Sequence, residues 1–299
     1  MAKRKGNCYM NYTGSKARYE KEVLEVIPEE LKEKPLKVLD LFGGGASLST
    51  RLPKAWKVTV NDIDTRIIDI HKQMQNLASA FGPEGGLDFV KVFTHFKVPD
   101  NKSEEAYLEL RDHYNSTPDK HPMVLYSLIC SSNSNRVRFG PNGFNVPFGK
   151  RYFNPSMQQN LLSWMQRVVD REIEFISMSY DEIDYSEYDI VIFDPPYACN
   201  NKSTAVYNES GGWTFNNMID VLNITNRIAN SGKHFIAFNE VTTKGVDNSF
   251  IKRWSQLYNC VTLEDTLTGS SANRTKERSV EVLVHNFPTQ EKEDERCSS

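Results

Sequence analysis

The 299-residue sequence predicts an α/β protein whose central sheet is doubly wound and interrupted by an insertion. A short apolar run, Leu36–Phe42, leads into three glycines, as a buried strand does where it enters a tight turn. A second run, Lys57–Val60, is followed by apolar residues three and four positions apart from Ile67 to Phe81, the period of an amphipathic helix. Strands and helices that alternate in this way begin a doubly wound sheet.

The alternation stops after this helix and resumes late in the chain. Residues 82–122 are polar, and they predict one helix near Ser103–Asn115, which Ser103 opens with a capping pattern before two glutamates. Apolar runs further on predict four more strands and one helix: Glu174–Ser179, Tyr188–Asp194, His234–Asn239 and Val280–Phe287 as strands, and Met218–Asn230 as the helix.

The interruption predicts two domains that differ in charge. We expect the α/β domain to comprise residues 1–72 and 166–288, around an inserted domain of helices and loops over 73–165, with a solvated tail over 289–299. The chain has 36 Lys and Arg against 39 Asp and Glu, so it does not bind polyanions through bulk positive charge. No acidic residue lies between Asp119 and Asp170, however, whereas six basic residues do: Lys120, Arg136, Arg138, Lys150, Arg151 and Arg167.

The remaining composition is that of a soluble globular protein, with 39% hydrophobic and 25% charged residues. No apolar run approaches the roughly 20 residues of a membrane span, and no signal peptide follows the basic N-terminus. The five cysteines are scattered and form no CxxC pair. We therefore expect no metal site, no disulfide framework and a reducing, cytoplasmic location.

The glycine turn after the first strand predicts a ligand that approaches the backbone closely. Gly43, Gly44 and Gly45 match only the first two glycines of a dinucleotide-binding turn, which is a weak signal alone. Asp62 follows the next strand, where an acid can bind ribose hydroxyls. The pair favours an adenosine-containing cofactor, although Asp62 could instead cap the following helix.

The segment Asp194-Pro195-Pro196-Tyr197 follows an apolar strand and suggests amine methylation. An exocyclic base amine is a poor nucleophile, because its lone pair is delocalised into the ring. The Asp194 carboxylate and the Pro195 carbonyl, held rigidly by the diproline, could accept its two N–H bonds. Tyr197 could stack on a base flipped out of the duplex. The alternative is a rigid turn without catalytic function.

These motifs resemble the Dam-type family of N6-adenine DNA methyltransferases. The resemblance rests on Asn11–Lys16, Asp40–Gly45, Asp194–Tyr197 and, within the insertion, Arg138–Phe139 and Gly143–Tyr152, and it spans roughly residues 7 to 287. It implies a Rossmann-like class I methyltransferase sheet with helices on both faces and an inserted DNA-recognition domain. It also implies S-adenosyl-L-methionine as cofactor, double-stranded DNA as partner, GATC as target, no obligatory protein partner, and a bacterial or phage origin.

The resemblance assigns cofactor contacts to residues spread over most of the chain: Tyr12, Lys16, Asp40, Phe42, Gly43, Gly45, Asp62, Ser179, Tyr180 and Asp194. Tyr12 and Lys16 would lie beside the methionine end, with Lys16 near its carboxylate. Asp62 would hold the ribose. Ser179 and Tyr180 would contact the adenine, although Tyr180 could equally be a core residue.

The resemblance assigns the DNA contacts to the acid-free window: Asn133, Asn135, Arg136, Arg138, Asn145, Lys150 and Arg151. Arg136 and Arg138 are the candidates for reading guanine, since arginine binds its O6 and N7 with two hydrogen bonds. Asn133 and Asn135 would pair with bases or wedge beside them. The remaining cations suit phosphates, or are simply solvated surface charges.

Other activities remain open. N4-cytosine methylation uses nearly the same amine chemistry, and an inactive DNA-binding protein could retain the fold. C5-cytosine methylation needs a Pro-Cys nucleophile, which the sequence lacks. RNA methylation is disfavoured by Asp at position 194, and a nicotinamide dehydrogenase would be revealed by NADH binding.

Overall fold

The computed structural model describes residues 9–10, 14–197, 213–243, 245–267 and 278–288. Its strands, in chain order, are β1 (Lys37–Asp40), β2 (Lys57–Asn61), β3 (Phe139–Gly140), β4 (Gly143–Phe144), β5 (Ile173–Ile176), β6 (Ile190–Phe193), β7 (His234–Thr243), β8 (Val246–Asp247), β9 (Asn259–Leu267) and β10 (Arg278–His285). Its α-helices are α1 (Glu20–Val26), α2 (Glu29–Lys32), α3 (Thr65–Lys97), α4 (Glu104–Ser116), α5 (Pro122–Ser131), α6 (Pro155–Val169), α7 (Phe215–Asn230) and α8 (Ser249–Ser255).

Eight strands form one sheet in the order β5-β2-β1-β6-β7-β10-β9, and β8 pairs with β7. The five strands from β5 to β7 are parallel, whereas β10 runs antiparallel to both of its neighbours. From β1 the chain passes outward to β2 and β5, and then returns to β6 and β7 on the other side. The boundary between β1 and β6 is therefore the point where the winding direction reverses.

Alternate residues of each strand enter two separate cores. In β1, Val38 packs into the core that contains α3 and α6, whereas Leu39 packs against α7 and α8. In β6, Ile190 likewise packs into the core with α3 and α6, and Val191 packs into the core with α7 and α8. Because both faces of the sheet are covered, the middle residues of its central strands are apolar, as in buried parallel strands. The predicted α/β class and the doubly wound sheet are confirmed.

Helix α3 differs from its prediction, because it extends to Lys97 rather than ending near Phe81. The chain leaves helical geometry only at Gly82, where φ is 73°, and Pro83 then starts the second half of the helix. Gly86 lets the two halves approach closely, since a Cβ there would lie 3.1 Å from the Leu77 backbone. Gly82, Gly85 and Gly86 interrupt the apolar pattern, so the second half of the helix could not be recognised in the sequence.

The remaining predicted elements are confirmed to within a few residues. Helix α4 begins after Ser103, as expected, but the Ser103 hydroxyl donates to Asp100 and makes no capping bond. Strand β9 and helix α8 were not predicted. Among the described residues, no helix is long and apolar enough to cross a membrane.

The insertion packs directly onto the sheet. One continuous core contains Val58 of β2 together with Tyr107 and Phe153 of the insertion. The predicted boundary at residue 72 falls inside α3, and the boundary at residue 165 falls inside α6. These two helices therefore belong to both parts of the chain, and the domain boundaries stay predictions.

Candidate active site and nucleic-acid interface

The carboxyl ends of β1 and β6 carry the two carboxylates nearest to the reversal of winding. Asp40 ends β1, and Asp194 directly follows β6. The strands pair in parallel, with Asp40 beside Ile192, so both acids emerge at the same edge of the sheet. Ligands of doubly wound sheets bind in the crevice outside this edge. The candidate site is therefore built around these two strand ends.

Backbone packing explains the glycines after β1. A Cβ on Gly43 would lie 2.3 Å from Val60 Cγ1, so only glycine fits against β2. The Gly44 N–H donates to Asp62 Oδ2 at 2.9 Å. Asp62 thus faces the turn from the end of β2, while Asp64 caps α3 by accepting from the Arg66 N–H. Burial raises the pKa of Asp62 to about 6.

His71 holds the same turn from the opposite side. Its Nε2–H donates to the Gly44 carbonyl at 2.7 Å, and its Nδ1 accepts from the Tyr9 hydroxyl at 2.6 Å. The imidazole is fully buried and packs against Trp164 and Phe175, which also stack on each other. Burial lowers its pKa to about 4, which keeps the ring neutral with one donor and one acceptor nitrogen.

Three aromatic rings meet beside the turn. Phe42 contacts Trp213 edge-on at 5.5 Å between centroids, and Tyr180 lies 5.7 Å from Trp213. Ile63, next to Asp62, exposes 65% of its surface. These apolar groups at the edge of the sheet offer a surface for a flat ring. Ser179 is half-buried, and its hydroxyl donates to Asp181.

Asp40 is buried beneath the turn and does not face the crevice. It accepts a hydrogen bond from the Ser49 hydroxyl and exposes only 5% of its surface. Burial, together with the charges of Asp194 and Asp62, raises the pKa of Asp40 to about 7. Asp40 therefore supports the glycine turn in this structure. Its direct contact with the cofactor stays a prediction.

Asp194 belongs to a cluster of four polar side chains. Lys16 Nζ lies 2.9 Å from Asp194 Oδ1 and 3.2 Å from Glu281 Oε1. The Tyr197 hydroxyl lies 2.9 Å from Glu281 Oε1 and 3.3 Å from Asp194 Oδ1. The Lys16 ammonium also lies over the Tyr197 ring, 5.2 Å from its centroid. The structure therefore joins the predicted residues Lys16, Asp194 and Tyr197 through an unpredicted glutamate.

Burial and charge act against each other in this cluster. Burial raises the pKa of Asp194, although Lys16 opposes the rise. Burial alone would lower the pKa of Lys16, but the two carboxylates outweigh it and raise that pKa. Glu281 has a lowered pKa, because Lys16 and its hydrogen-bond donors outweigh its burial. The ammonium and both carboxylates are thus held in one cluster, in which Lys16 is buried and Asp194 stays partly exposed.

A two-stranded hairpin, β3 and β4, carries the central part of the acid-free window. Arg138 donates to the Asn145 side chain at 2.8 Å and to its carbonyl at 2.9 Å, both across the hairpin. Asn115 of α4 bonds both backbone groups of Phe144, at 2.8 and 3.0 Å, and Tyr107 donates to the Val146 carbonyl. The hairpin is therefore fastened to α4, with Arg138 and Asn145 exposed.

The other predicted DNA residues divide into exposed and buried side chains. Asn133, Arg136, Lys150 and Arg151 are exposed, as expected for DNA contacts. Asn135 is not: its amide is buried, donates to the Ile129 and Cys130 carbonyls, and accepts from Arg151 at 3.0 Å. In this structure Asn135 closes the loop and orients Arg151, and its contact with a base stays a prediction.

Two of the six window cations bond to residues outside the hairpin and its flanking loop. Lys120 donates to the carbonyls of Tyr114 and Asn115, at 2.5 and 2.9 Å. Arg167 donates to Thr50, between α6 and the glycine-turn region. The positive charge of the window is therefore concentrated at the hairpin and the loop that flanks it.

Several residues of the site escaped prediction. Glu281, His71 and Trp213 lie far along the chain from the motifs they contact. The only local signal for Glu281 is a charged residue within the apolar run of β10. Tyr12, which was expected beside the cofactor, lies outside the described residues. Within the described ranges, no group of three His, Cys, Asp or Glu residues could hold a metal ion.

The mixed sheet, with helices on both faces and polar residues at its switch point, is consistent with a Rossmann-like methyltransferase fold. A family model described as D12 class N6 adenine-specific DNA methyltransferase matches residues 12–268. The chain belongs to this family, and the resemblance seen in its motifs is confirmed.

Curated relatives agree with the family. The type II methyltransferase M.FokI of Planomicrobium okeanokoites is 26% identical over 96% of this chain and 44% of its own length. The modification methylase StsI of Streptococcus sanguinis is 28% identical over 94% of this chain and 43% of its own. A DNA adenine methylase of Vibrio cholerae is 24% identical over 91% of this chain and 94% of its own length. The chain thus spans less than half of the first two relatives.

Proposed function

We propose that this protein transfers a methyl group from S-adenosyl-L-methionine to N6 of adenine in duplex DNA, with GATC as the expected target. The observation that carries the proposal is the position of Asp194. Its carboxylate lies at the switch point of the sheet, 2.9 Å from the buried Lys16 ammonium, and two prolines follow it. This arrangement can present a carboxylate and a rigid carbonyl to one exocyclic amine.

The chain's own residues act on the amine. Asp194 and the Pro195 carbonyl each accept one N–H bond, which favours a tetrahedral nitrogen with its lone pair directed at the methyl carbon. With the cofactor bound, attack by this nitrogen would break the carbon–sulfur bond and leave a neutral thioether, and the proton lost from the nitrogen would pass to solvent. Because a protonated carboxyl group cannot accept the N–H bond as a carboxylate does, Asp194 must be ionised.

The residues around the glycine turn fit the cofactor. Asp62 offers carboxylate oxygens beside the turn for ribose hydroxyls, and Phe42, Tyr180 and Ile63 provide apolar surface for an adenine ring. The Lys16 ammonium suits the methionine carboxylate. When bound, the cofactor supplies an electrophilic methyl group on a sulfonium. Its contacts with these side chains are part of the proposal.

The DNA face is proposed to be the hairpin. Four exposed cations of the acid-free window, Arg136, Arg138, Lys150 and Arg151, lie on the hairpin or in the segments that flank it, and Arg138 is already oriented by Asn145. A base within a duplex cannot reach Asp194, so we propose that the target adenine flips out and stacks on Tyr197. Because DNA is the substrate, we propose the bacterial cytoplasm as the place of action.

Methyl transfer can be tested directly. The protein should incorporate labelled methyl groups into unmethylated duplex DNA that contains GATC, and digestion of the product should yield N6-methyladenine. N4-methylcytosine in the product would replace the adenine assignment with the cytosine alternative. Asp194→Ala should abolish transfer and keep DNA binding within about threefold. Sequencing of modified bases in cells that express the protein would identify the target sequence.

A further inference from the structure

The carboxylate of Glu281 joins two pairs of side chains. Its Oε1 contacts the inner pair, Lys16 at 3.2 Å and the Tyr197 hydroxyl at 2.9 Å. Its Oε2 accepts from the outer pair, Arg18 at 2.8 Å and the Tyr19 hydroxyl at 2.5 Å. Both oxygens are therefore fully used, and Glu281 links the segment before α1 to the inner pair.

The backbone of β10 is adapted to this one residue. The register of β10 shifts between Val280 and Glu281 on the β7 side, and between Glu281 and Val282 on the β9 side. Such irregularities redirect a side chain and are common beside active sites. Glu281 exposes only 9% of its surface. Burial of a carboxylate is costly unless donors surround it, and here four donors do so.

The distances define what Glu281 does for its neighbours. Lys16 lies between two carboxylates at similar range, so its charge is shared instead of being held by Asp194 alone. The Tyr197 hydroxyl is closer to Glu281 than to Asp194. Without Glu281, both groups of the inner pair would turn to Asp194 and occupy the oxygens that an incoming amine needs.

We propose that Glu281 is a positioning residue for methyl transfer, because it holds the inner pair and so keeps the Asp194 carboxylate available to the target amine. This inference rests on the proposed function. Glu281 does not contact the amine and acts only through Lys16 and Tyr197. Replacement of its charge should therefore slow the chemical step more than it weakens DNA binding.

The ionisation of Asp194 gives a second readout. The charged groups around the cluster are Lys16, Arg18, Asp40, Glu240 and Glu281, with the Tyr19 and Tyr197 hydroxyls beside them. The negative charge of Glu281 opposes the ionisation of Asp194. Its removal should therefore let Asp194 ionise at lower pH, and the acid limb of the kcat profile should move to lower pH while the maximal rate falls. General damage to the fold would lower the maximal rate without moving the acid limb of the profile.

The test compares Glu281→Gln with the wild type and with Glu174→Gln, an exposed glutamate on the edge strand β5. The measurements are kcat and KM for duplex DNA across a pH series, with circular dichroism as a check of folding. We expect Glu281→Gln to lose at least about tenfold in kcat, with a smaller change in KM for DNA and an acid limb at lower pH. Glu174→Gln should match the wild type.

The outcomes separate the two proposals. An inactive wild-type protein overturns the proposed function before any variant is compared. An active wild type with unchanged kcat and an unchanged acid limb in Glu281→Gln overturns the role of Glu281. If Glu281→Gln does not fold, Arg18→Gln tests the role of Glu281 instead. Arg18 is half exposed and contacts Glu281 at Oε2, the oxygen on the side away from Lys16 and Tyr197. A fall in kcat of about threefold or more then supports the inference, and wild-type kcat overturns it.

Discussion

The guanidinium of Arg66 lies 3.6 Å from the ring centroid of Phe139, which joins the start of α3 to the hairpin. Arg66 also forms a two-pronged ion pair with Asp64, at 2.7 and 2.9 Å. Asp64 in turn donates its backbone N–H to Asp62 Oδ1. A continuous set of contacts therefore runs from the proposed DNA face to the proposed ribose site.

Phe139→Leu should loosen the hairpin without disturbing the glycine turn. Loss of the cation–π contact removes about 0.5–2 kcal/mol, so the Kd for duplex DNA should rise by about two- to thirtyfold. Cofactor affinity measured without DNA should stay unchanged. Fluorescence anisotropy and calorimetry measure the two affinities, and Phe81→Leu, on an exposed part of α3, is the control. Equal DNA affinity in both variants would show that the contact does not support the hairpin.

His71→Gln should change the pH dependence of stability. The pKa of His71 is lowered from 6.5 to about 4 on folding, so between these values the unfolded chain binds a proton that the folded protein does not. The free energy of unfolding of the wild type should therefore fall with decreasing pH, by up to about 3 kcal/mol more than that of the variant. Urea unfolding at several pH values measures the difference in unfolding free energy between the two proteins. The titratable groups that both proteins contain cancel in this difference. Parallel curves would contradict a neutral buried His71.

Gly43→Ala should damage both the fold and cofactor binding. The added Cβ would lie 2.3 Å from Val60 Cγ1 and 3.4 Å from the Asn61 carbonyl, so β1 and β2 must separate at the turn. We expect a loss of about 1–3 kcal/mol in the free energy of unfolding and at least about tenfold weaker cofactor binding. Gly85→Ala in α3, which meets only the exposed Phe81, controls for the change of residue type. Equal effects of the two substitutions would contradict the packing argument.

Asn135→Ala should destabilise the protein, which a base-reading residue would not do. It removes the amide that donates to the Ile129 and Cys130 carbonyls and accepts from Arg151, and it places alanine at a φ of 52°. Unfolding in urea should show a loss of about 2–4 kcal/mol. Asn133→Ala, at an exposed position, should remain within about 0.5 kcal/mol of the wild type. A stable Asn135→Ala protein that has lost DNA specificity would restore the original prediction.

Prediction from sequence succeeded where the signal was local. The apolar run Leu36–Phe42, the glycines after it and Asp194–Tyr197 each lie within a few residues, and the structure confirms the strand, the turn and the strand end. It failed over the second half of α3, because Gly82 and the glycines that follow conceal the helical period. It also did not reveal that the Asn135 amide turns inward, since sequence does not show which way a loop side chain turns.

The sequence by itself determined the class of fold and the family, and it indicated the segments proposed to carry the chemistry, because strand periodicity, turn residues and short motifs lie in neighbouring residues. Only the tertiary structure decided which side chains complete the site. Glu281 reaches Lys16 and Tyr197 because β10 inserts antiparallel between β7 and β9 with a shifted register. His71 reaches Gly44 because α3 packs against the turn that follows β1. Such contacts depend on the order of strands and the packing of helices, which no local pattern encodes.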